Sequence, residues 1–335
     1  MIINNFDTDK KVLVIAEIGN NHEGNFNLAE KMIGLAAQSG AGAVKFQTII
    51  PDKLISCTQA DRIKQLKKFQ LTYNDFEKLS RIAEKEKVLF LSTPFDIESA
   101  CFLNQIVPAF KIASGDNLFF PLLEKIAQFD KPIILSSGMT TLKQLNKIKY
   151  FIESIWEDLD INQQLAILHC VSSYPVPPEE ANLSAIGILK KQLKTDIGYS
   201  DHTIGIDAAI LSVAIGARII EKHFTIDKNY SGFRDHQLSA DPEEMSLLVK
   251  KIEHTEMLIG NGKKKIQTAE KDLIINSRRS IVAKKDLPAG TIVKWDDITW
   301  VRPANGISPG NEFLILGKQL TKNVKIGEPL IPEYF

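Results

Sequence analysis

Eight short apolar segments, each followed by a helix-like stretch, are the feature that most limits how this chain can fold. They cover residues 12–19, 43–48, 88–94, 109–115, 132–138, 164–170, 196–202 and 219–225. Most are apolar at successive positions rather than alternating, as expected for parallel strands covered on both faces. Eight such units within residues 1–260 match the usual size of a (β/α)8 TIM barrel, about 250 residues. We therefore predict an α/β fold of the TIM-barrel type.

The segments between the strands have the pattern of helices. The clearest of them cover residues 28–40, 73–87, 122–129 and 241–260. In the last one, Asp241 is suited to cap the helix N-terminus and Pro242 to occupy its first position. A doubly wound open sheet is the alternative fold, but no GxGxxG sequence follows the first strand, which disfavours it.

The character of the sequence changes after Gly260. Residues 261–276 are polar and are expected to form a linker, whereas 277–335 contain short β-like runs broken by Gly and Pro. The sequence thus predicts a catalytic barrel over 1–260 and a small β-rich domain after the linker. A domain of about 60 residues is small for independent stability, so we expect it to pack against the barrel or a partner chain.

Composition and charge exclude several classes of protein. Lys+Arg and Asp+Glu both number 41, and a net charge of zero argues against broad nucleic-acid binding. No apolar run approaches the roughly 20 residues of a membrane span, and residues 1–11 do not resemble a signal peptide. Three cysteines without CxxC spacing fit a reducing compartment. We expect a cytoplasmic protein that acts on small molecules.

Polar side chains follow the predicted strands at their C-terminal ends, where TIM barrels place their active sites. One group suits an anion and consists of Lys45, Lys111, Ser114, Ser136 and Ser200. Ammonium and hydroxyl groups together bind phosphate or carboxylate well. The alternative is that each lysine pairs with a carboxylate inside the barrel, such as Glu17.

A second group suits a metal ion. His202 and His223 end the seventh and eighth strands, which are neighbours in a barrel. Two imidazoles there can share one ion and leave positions open for water and substrate. Asp235 and His236 lie nearby in the sequence. The HExxH spacing of zinc proteases is absent.

A third group consists of the carboxylates Glu17, Asp116, Asp201 and Asp235 at strand ends and loops. Carboxylates in such positions orient hydroxyls or transfer protons. The alternative for any one of them is a solvated loop charge or a helix cap.

The motifs at these strand ends resemble those of the sialic acid synthase family. They are AEIGNNHEG (16–24), VKFQT (44–48), STPFD (92–96), KIASGD (111–116), LSSGM (135–139), LHCVSSYP (168–175), GYSDHT (198–203) and EKHFT (221–225). SRRSIVAKKDLPAGTIV and WVRPANGI likewise resemble the C-terminal antifreeze-like (SAF) domain of that family. The resemblance covers nearly the whole chain.

The resemblance implies a transferase that condenses phosphoenolpyruvate with N-acetylmannosamine or a related acetamido hexose. With water, the products are a nine-carbon 2-keto sugar acid and phosphate. The implied cofactor is a divalent metal, usually Mn²⁺, with Mg²⁺ or Co²⁺ as alternatives. The resemblance also implies a homodimer in which each SAF domain reaches into the partner's barrel.

The resemblance also implies a role for individual residues. His202 and His223 match the metal ligands. The phosphoenolpyruvate-binding residues would be Lys45, Thr93, Lys111, Ser114, Ser136, Ser172 and Ser200. The sugar-binding residues would be Gln47, Tyr174, Asp235 and Arg302, with Arg302 completing the partner's site. Glu17 and Asp116 are the candidates for proton transfer to or from the attacking water.

Three departures from the family pattern leave the sugar open. Asp116 stands where a Glu is common, Ser172 stands where some members carry Asn, and residues 233–242 differ from the Gly-Pro-Asp sequence of several members. The sugar can therefore be N-acetylmannosamine, its 6-phosphate, or a 2,4-diacetamido-trideoxy hexose.

Other functions compete with this interpretation. One is a TIM-barrel aldolase that forms a Schiff base through Lys111 or Lys45. Another is a synthase of eight- or seven-carbon sugar acids, although those relatives lack the SAF domain. A third is a carbohydrate- or ice-binding role for residues 277–335.

Overall fold

The computed structural model describes all 335 residues, and its central feature is a barrel of eight parallel strands. The strands of the chain are β1 (Ile2–Ile3), β2 (Phe6–Asp7), β3 (Leu13–Gly19), β4 (Ala43–Thr48), β5 (Leu89–Pro94), β6 (Phe110–Ile112), β7 (Ile133–Ser136), β8 (Leu165–Cys170), β9 (Asp196–Asp201), β10 (Ile219–His223), β11 (Ser280–Ala283) and β12 (Ile298–Val301). Hydrogen bonds join the eight barrel strands, β3 through β10, in the spatial order β5-β4-β3-β10-β9-β8-β7-β6. β5 and β6 lie side by side and nearly close the ring. The predicted TIM barrel is thus confirmed.

Helices follow the barrel strands. They are α1 (Phe26–Gln38), α2 (Pro51–Leu54), α3 (Ala60–Phe69), α4 (Tyr73–Lys85), α5 (Ile97–Leu103), α6 (Phe120–Ala127), α7 (Leu142–Asp158), α8 (Ser184–Leu193), α9 (Asp207–Ile215), α10 (Asp235–Leu238), α11 (Pro242–Ile259) and α12 (Lys271–Ser277). Asp241 caps α11 by accepting a hydrogen bond from the Glu244 amide, as expected. No helix is both long and apolar enough to cross a membrane.

The barrel has two apolar layers. The larger one lies between strands and helices, and the smaller one fills the barrel interior with side chains such as Leu13, Leu91 and Ile134. Met1 and Ile3 belong to the interior layer. Ile3 belongs to the antiparallel hairpin β1–β2 and Met1 directly precedes it. The polar sequence of residues 1–11 did not lead us to expect this hairpin. The interior is therefore apolar, and the polar groups collect where the strands end.

Residues Asn261–Phe335 form a second compact unit. Its strands β11 and β12 pair in antiparallel fashion over a small core that includes Ile281, Val293 and Leu330. Helix α12 begins at Lys271, within the segment expected to be a linker. This helix is short and has no buried residues, so its three apolar residues, Leu273 to Ile275, give no helical periodicity that the sequence could reveal.

Candidate active site

A cavity of 830 Å³ lies at the C-terminal ends of the barrel strands. Most side chains selected from the sequence line it, namely Glu17, Lys45, Gln47, Thr93, Lys111, Ser114, Ser136, Ser172, Tyr174, Ser200, His202, His223 and Asp235. Asp116 does not line it but lies in a 3-10 turn after β6, where burial raises its pKa to about 6. Arg302 belongs to the second unit. The roles expected of Asp116 and Arg302 stay predictions.

Lys45 and Glu17 form a buried ion pair on neighbouring strands β4 and β3. The Lys45 ammonium lies 2.7 Å from Glu17 Oε2 and donates to Thr93 Oγ1 at 3.2 Å. Burial favours the neutral amine, but the carboxylates of Glu17 and Glu221 outweigh it and raise the pKa of Lys45. Burial dominates for Glu17 and raises its pKa. The sequence left open that Lys45 pairs with Glu17 instead of binding an anion. That ion pair is present, and it lies in the same cavity as the other candidate anion-binding groups.

Lys111 is held differently. Its ammonium donates to Ser136 Oγ at 2.6 Å and to the Ile112 carbonyl at 3.1 Å. Its nearest carboxylate oxygen is Glu221 Oε2 at 3.7 Å, and burial lowers the pKa of Lys111. Lys111 thus lacks a carboxylate within hydrogen-bonding distance, so an incoming anion can take that place.

Glu221 is a cavity residue to which the sequence assigned no role. Its Oε2 lies 3.9 Å from the Lys45 ammonium, and its Oε1 accepts a hydrogen bond from Ser200 Oγ at 3.0 Å. Burial disfavours its charge, but Lys111 and Lys45 hold the pKa of Glu221 below its usual value. Strand periodicity could have found it, because Glu221 and His223 are two residues apart and so share a face of β10.

The two histidines expected to bind a metal lie together in the cavity. The ring centroids of His202 and His223 are 5.4 Å apart. His202 Nδ1 lies 2.9 Å from the Val171 carbonyl, which only accepts, so Nδ1 carries a proton and Nε2 is the nitrogen that can bind a metal when the ring is neutral. Burial disfavours the charged ring, but Cys170, the Val171 carbonyl and Glu221 together raise the pKa of His202. His223 Nδ1 is buried without a hydrogen-bond partner, and burial with nearby cations holds the pKa of His223 well below its usual range.

This pair fits a metal ion in chemistry, since neutral imidazoles are good ligands and an orphaned buried nitrogen needs a partner. No group of three or more His, Cys, Asp or Glu side chains is arranged to hold a metal. Two protein ligands would thus need substrate or solvent to complete the coordination. His236 is not part of the pair, because its Nδ1 lies 2.7 Å from Thr225 Oγ1 and its Nε2 faces Glu23.

Asp201 does not line the cavity, and its contacts stabilise the barrel instead. Its Oδ2 forms a buried ion pair with the Lys222 ammonium at 2.9 Å, and its Oδ1 accepts from the Thr203 amide and hydroxyl. Asp201 precedes His202, and Lys222 precedes His223. Side chains alternate along a strand, so this ion pair lies on the outer face of β9 and β10 while the histidines face the cavity. The acid–base role considered for Asp201 is not supported by this geometry.

The cavity also carries groups suited to hydroxyls and amides. Gln47 Nε2 donates to Glu17 Oε1 at 2.9 Å. The Tyr174 ring lies 4.1 Å from the His202 ring, and the Arg234 guanidinium covers Tyr174 at 5.0 Å. Arg234, which lies in the 233–242 loop but was not selected from the sequence, also lines the cavity.

Comparisons with known proteins agree with this architecture. The profile of the NeuB family matches residues 32–264, and that of the SAF domain matches residues 278–333. The chain is 41% identical over 333 residues to the N,N'-diacetyllegionaminic acid synthase of Campylobacter jejuni, across 95% of this chain and 98% of that protein. It is 35% identical over 347 residues to the pseudaminic acid synthase of the same species, across 98% of each.

A solved structure is similar as well. The N-acetylneuraminic acid (sialic acid) synthetase from Leptospira borgpetersenii superposes with a TM-score of 0.77 at 35% identity, over 82% of this chain and 94% of that one. The family profile covers well over half of the chain, and the relatives match it nearly end to end. This chain therefore belongs to the NeuB family and carries a SAF domain at residues 278–333.

Proposed function

We propose that this protein is a nonulosonic acid synthase. It is a transferase that condenses phosphoenolpyruvate with an acetamido hexose and water, and it releases phosphate. The observation that carries the proposal is the convergence of two buried lysines, a set of serines and two histidines on one cavity. The named relatives, synthases of legionaminic and pseudaminic acid, support the same class of reaction.

The part of the cavity around Lys45, Lys111 and Ser136, the lysine end, suits phosphoenolpyruvate. Lys45 stays protonated because of its carboxylate neighbours, and Lys111 has a free position beside its ammonium. Phosphate and carboxylate oxygens of the substrate would accept from these ammonium groups and from serine hydroxyls at adjacent strand ends. Donors fixed before the reaction stabilise charge as it moves to the departing phosphate.

The part of the cavity around His202 and His223 suits the sugar aldehyde. His202 and His223 would hold a divalent ion, for which we propose Mn²⁺. When bound, such an ion supplies Lewis acidity at the aldehyde oxygen. Tyr174, Gln47 and Asp235 would orient the sugar through its hydroxyl and amide groups.

The reaction joins the methylene carbon of phosphoenolpyruvate to the aldehyde carbon. Water adds to the former enol carbon, and phosphate leaves with cleavage of its bond to that carbon. We assign proton transfer to Glu17, because its carboxyl group is buried in the cavity beside the Lys45 ammonium. Its hydrogen bond from Gln47 and its ion pair with Lys45 fix its orientation.

Phosphate release is the direct test. Phosphoenolpyruvate and Mn²⁺ are supplied with N-acetylmannosamine, its 6-phosphate or a 2,4-diacetamido-trideoxy hexose. We expect the diacetamido sugar to react fastest, since one relative of 41% identity is an N,N'-diacetyllegionaminic acid synthase. No phosphate release with any of these sugars would contradict the proposed function.

We expect His202→Ala and His223→Ala each to lower turnover by at least about 100-fold, as loss of a preorganised electrostatic group does. Both should also weaken Mn²⁺ binding measured directly by electron paramagnetic resonance. His254→Ala, at a residue far along α11 from the cavity, serves as the control. Unchanged Mn²⁺ affinity in both cavity variants would remove the metal site from the proposal.

A Schiff-base aldolase is the second candidate function, and the lowered pKa of Lys111 is the observation that favours it. A buried amine that loses its proton more easily can attack a carbonyl. Incubation with pyruvate and borohydride separates the two functions by mass spectrometry, because only the aldolase forms a trapped adduct. We expect no adduct.

Arg234 is expected to bind the sugar rather than phosphoenolpyruvate. Its guanidinium lies over Tyr174 and its Nε lies 3.4 Å from Asp235 Oδ1. Removing a charged hydrogen-bond donor costs about 1.5–3 kcal/mol, so Arg234→Gln should raise the sugar KM by roughly ten- to a hundredfold. The phosphoenolpyruvate KM should stay the same, as should both constants in the control Arg81→Gln on the exposed face of α4. An equal rise in both KM values would contradict this assignment.

A further inference from the structure

Asn117 is a buried polar residue at the edge of the active site to which neither the family motifs nor the sequence assigned a role. Its side chain is 3% exposed and follows Asp116, where the chain departs from the family pattern. The side-chain amide nitrogen of Asn117, Nδ2, donates to the backbone carbonyl of Ser136 at 3.1 Å and to that of Gly138 at 3.0 Å. It therefore connects the turn after β6 to the loop after β7.

That loop carries groups from the lysine end of the cavity. Ser136 Oγ accepts a hydrogen bond from the Lys111 ammonium at 2.6 Å. The Gly138 amide donates to Ser114 Oγ at 3.0 Å, which is a second connection between the same two strand ends. A shift of the loop would thus move the Ser136 hydroxyl relative to Lys111 and break the hydrogen bond between Gly138 and Ser114.

The loop is also close to the end of a third strand. A Cβ atom on Gly138 would lie 2.2 Å from Ser172 Oγ and 2.6 Å from Ser114 Oγ. Met139 follows with a φ of +60°, a conformation that a non-glycine residue adopts at an energetic cost and keeps only where its surroundings hold it. Asn117 supplies two of the hydrogen bonds that hold this loop.

We infer that Asn117 is a positioning residue for the anion-binding end of the cavity. It acts through the Ser136 and Gly138 carbonyls and sets the affinity for phosphoenolpyruvate by fixing the loop after β7. The inference rests on the proposed function, because it assigns the lysine end of the cavity to that substrate. Asn117 itself does not line the cavity, so it is not a catalytic residue.

The test uses Asn117→Ala and Asn117→Ser in the full-length protein. We measure the phosphoenolpyruvate Kd by calorimetry without sugar, and the KM of each substrate. Losing the hydrogen bonds should weaken phosphoenolpyruvate binding on the order of tenfold in Asn117→Ala, while the sugar KM changes less than about twofold. Asn117→Ser keeps one donor and should lie between wild type and Asn117→Ala. If Asn117→Ala does not fold, Asn117→Ser alone tests the inference.

Asn146→Ala is the matched control. Asn146 Nδ2 also donates to a backbone carbonyl, that of Leu142, but at an exposed site in α7. A lower melting temperature with an unchanged phosphoenolpyruvate Kd, or an equal rise of both KM values, would overturn the positioning role while the proposed function stands. If the wild type releases no phosphate and binds no phosphoenolpyruvate, the proposed function fails first and the role of Asn117 with it.

Discussion

Replacing Lys111 with methionine is expected to lower kcat/KM by about 100- to 1,000-fold, the range seen when a preorganised electrostatic group is removed. The ammonium donates to Ser136 Oγ and faces Glu221. Without the Lys111 ammonium, Lys45 remains to bind the anion, and its charge is already shared with Glu17 at 2.7 Å. Phosphate-release kinetics at saturating sugar give the change directly.

Two further variants separate the loss of binding from a loss of structure. Lys131→Met is the control, because Lys131 is a half-buried lysine that donates to the Val107 carbonyl away from the active-site cavity. It should keep full activity per folded molecule. In Lys111→Met, the buried Glu221 carboxylate keeps only Lys45, at 3.9 Å, as a neighbouring cation. Adding Glu221→Gln removes this poorly compensated charge, so the double variant should regain stability but not turnover. Wild-type kcat/KM in Lys111→Met would exclude this lysine from the anion site.

The fold was accessible from the sequence because its dominant signal is local. Runs of apolar β-formers punctuated by helix-like stretches predict parallel strands, and all eight barrel strands lie where those runs occur. The hairpin of residues 2–7 was not predicted, because its signal is not local. Met1 and Ile3 are too few and too separated to stand out, and their burial comes from the open end of the barrel rather than from their own pattern.

The candidate site was partly accessible, since polar residues at strand ends converge once the barrel is assumed. What the sequence could not tell is which face of a strand each side chain occupies and which partner it finds. Asp201 and Glu221 show this. They stand at similar places on neighbouring strands, yet Asp201 pairs with Lys222 outside the cavity and Glu221 lies between two lysines inside it. Asn117 was missed because its partners are backbone carbonyls, which leave no trace in a sequence.

The ion pair outside the cavity is expected to dominate stability at this end of the barrel. The side chains of Lys222 and Asp201 are 1% and 0% exposed, and their charged atoms lie 2.9 Å apart. Removing one partner of a buried pair leaves an uncompensated charge, which costs about 3–5 kcal/mol. Lys222→Met should therefore lower the melting temperature by roughly 10 °C for a domain of this size, as measured by calorimetry.

The control is Lys149→Met, which breaks the exposed pair between Lys149 and Glu153 on α7. Such a surface pair contributes about 0.5 kcal/mol or less, so its melting temperature should change by no more than about 2 °C. Adding Asp201→Asn to Lys222→Met removes the unpaired charge but keeps an acceptor for the Thr203 amide. That double variant should recover part of the loss, because an uncharged amide is less costly to bury than a carboxylate. If Lys222→Met melted like Lys149→Met, the pair would not hold β9 and β10 together, and packing alone would orient the two histidines that follow it.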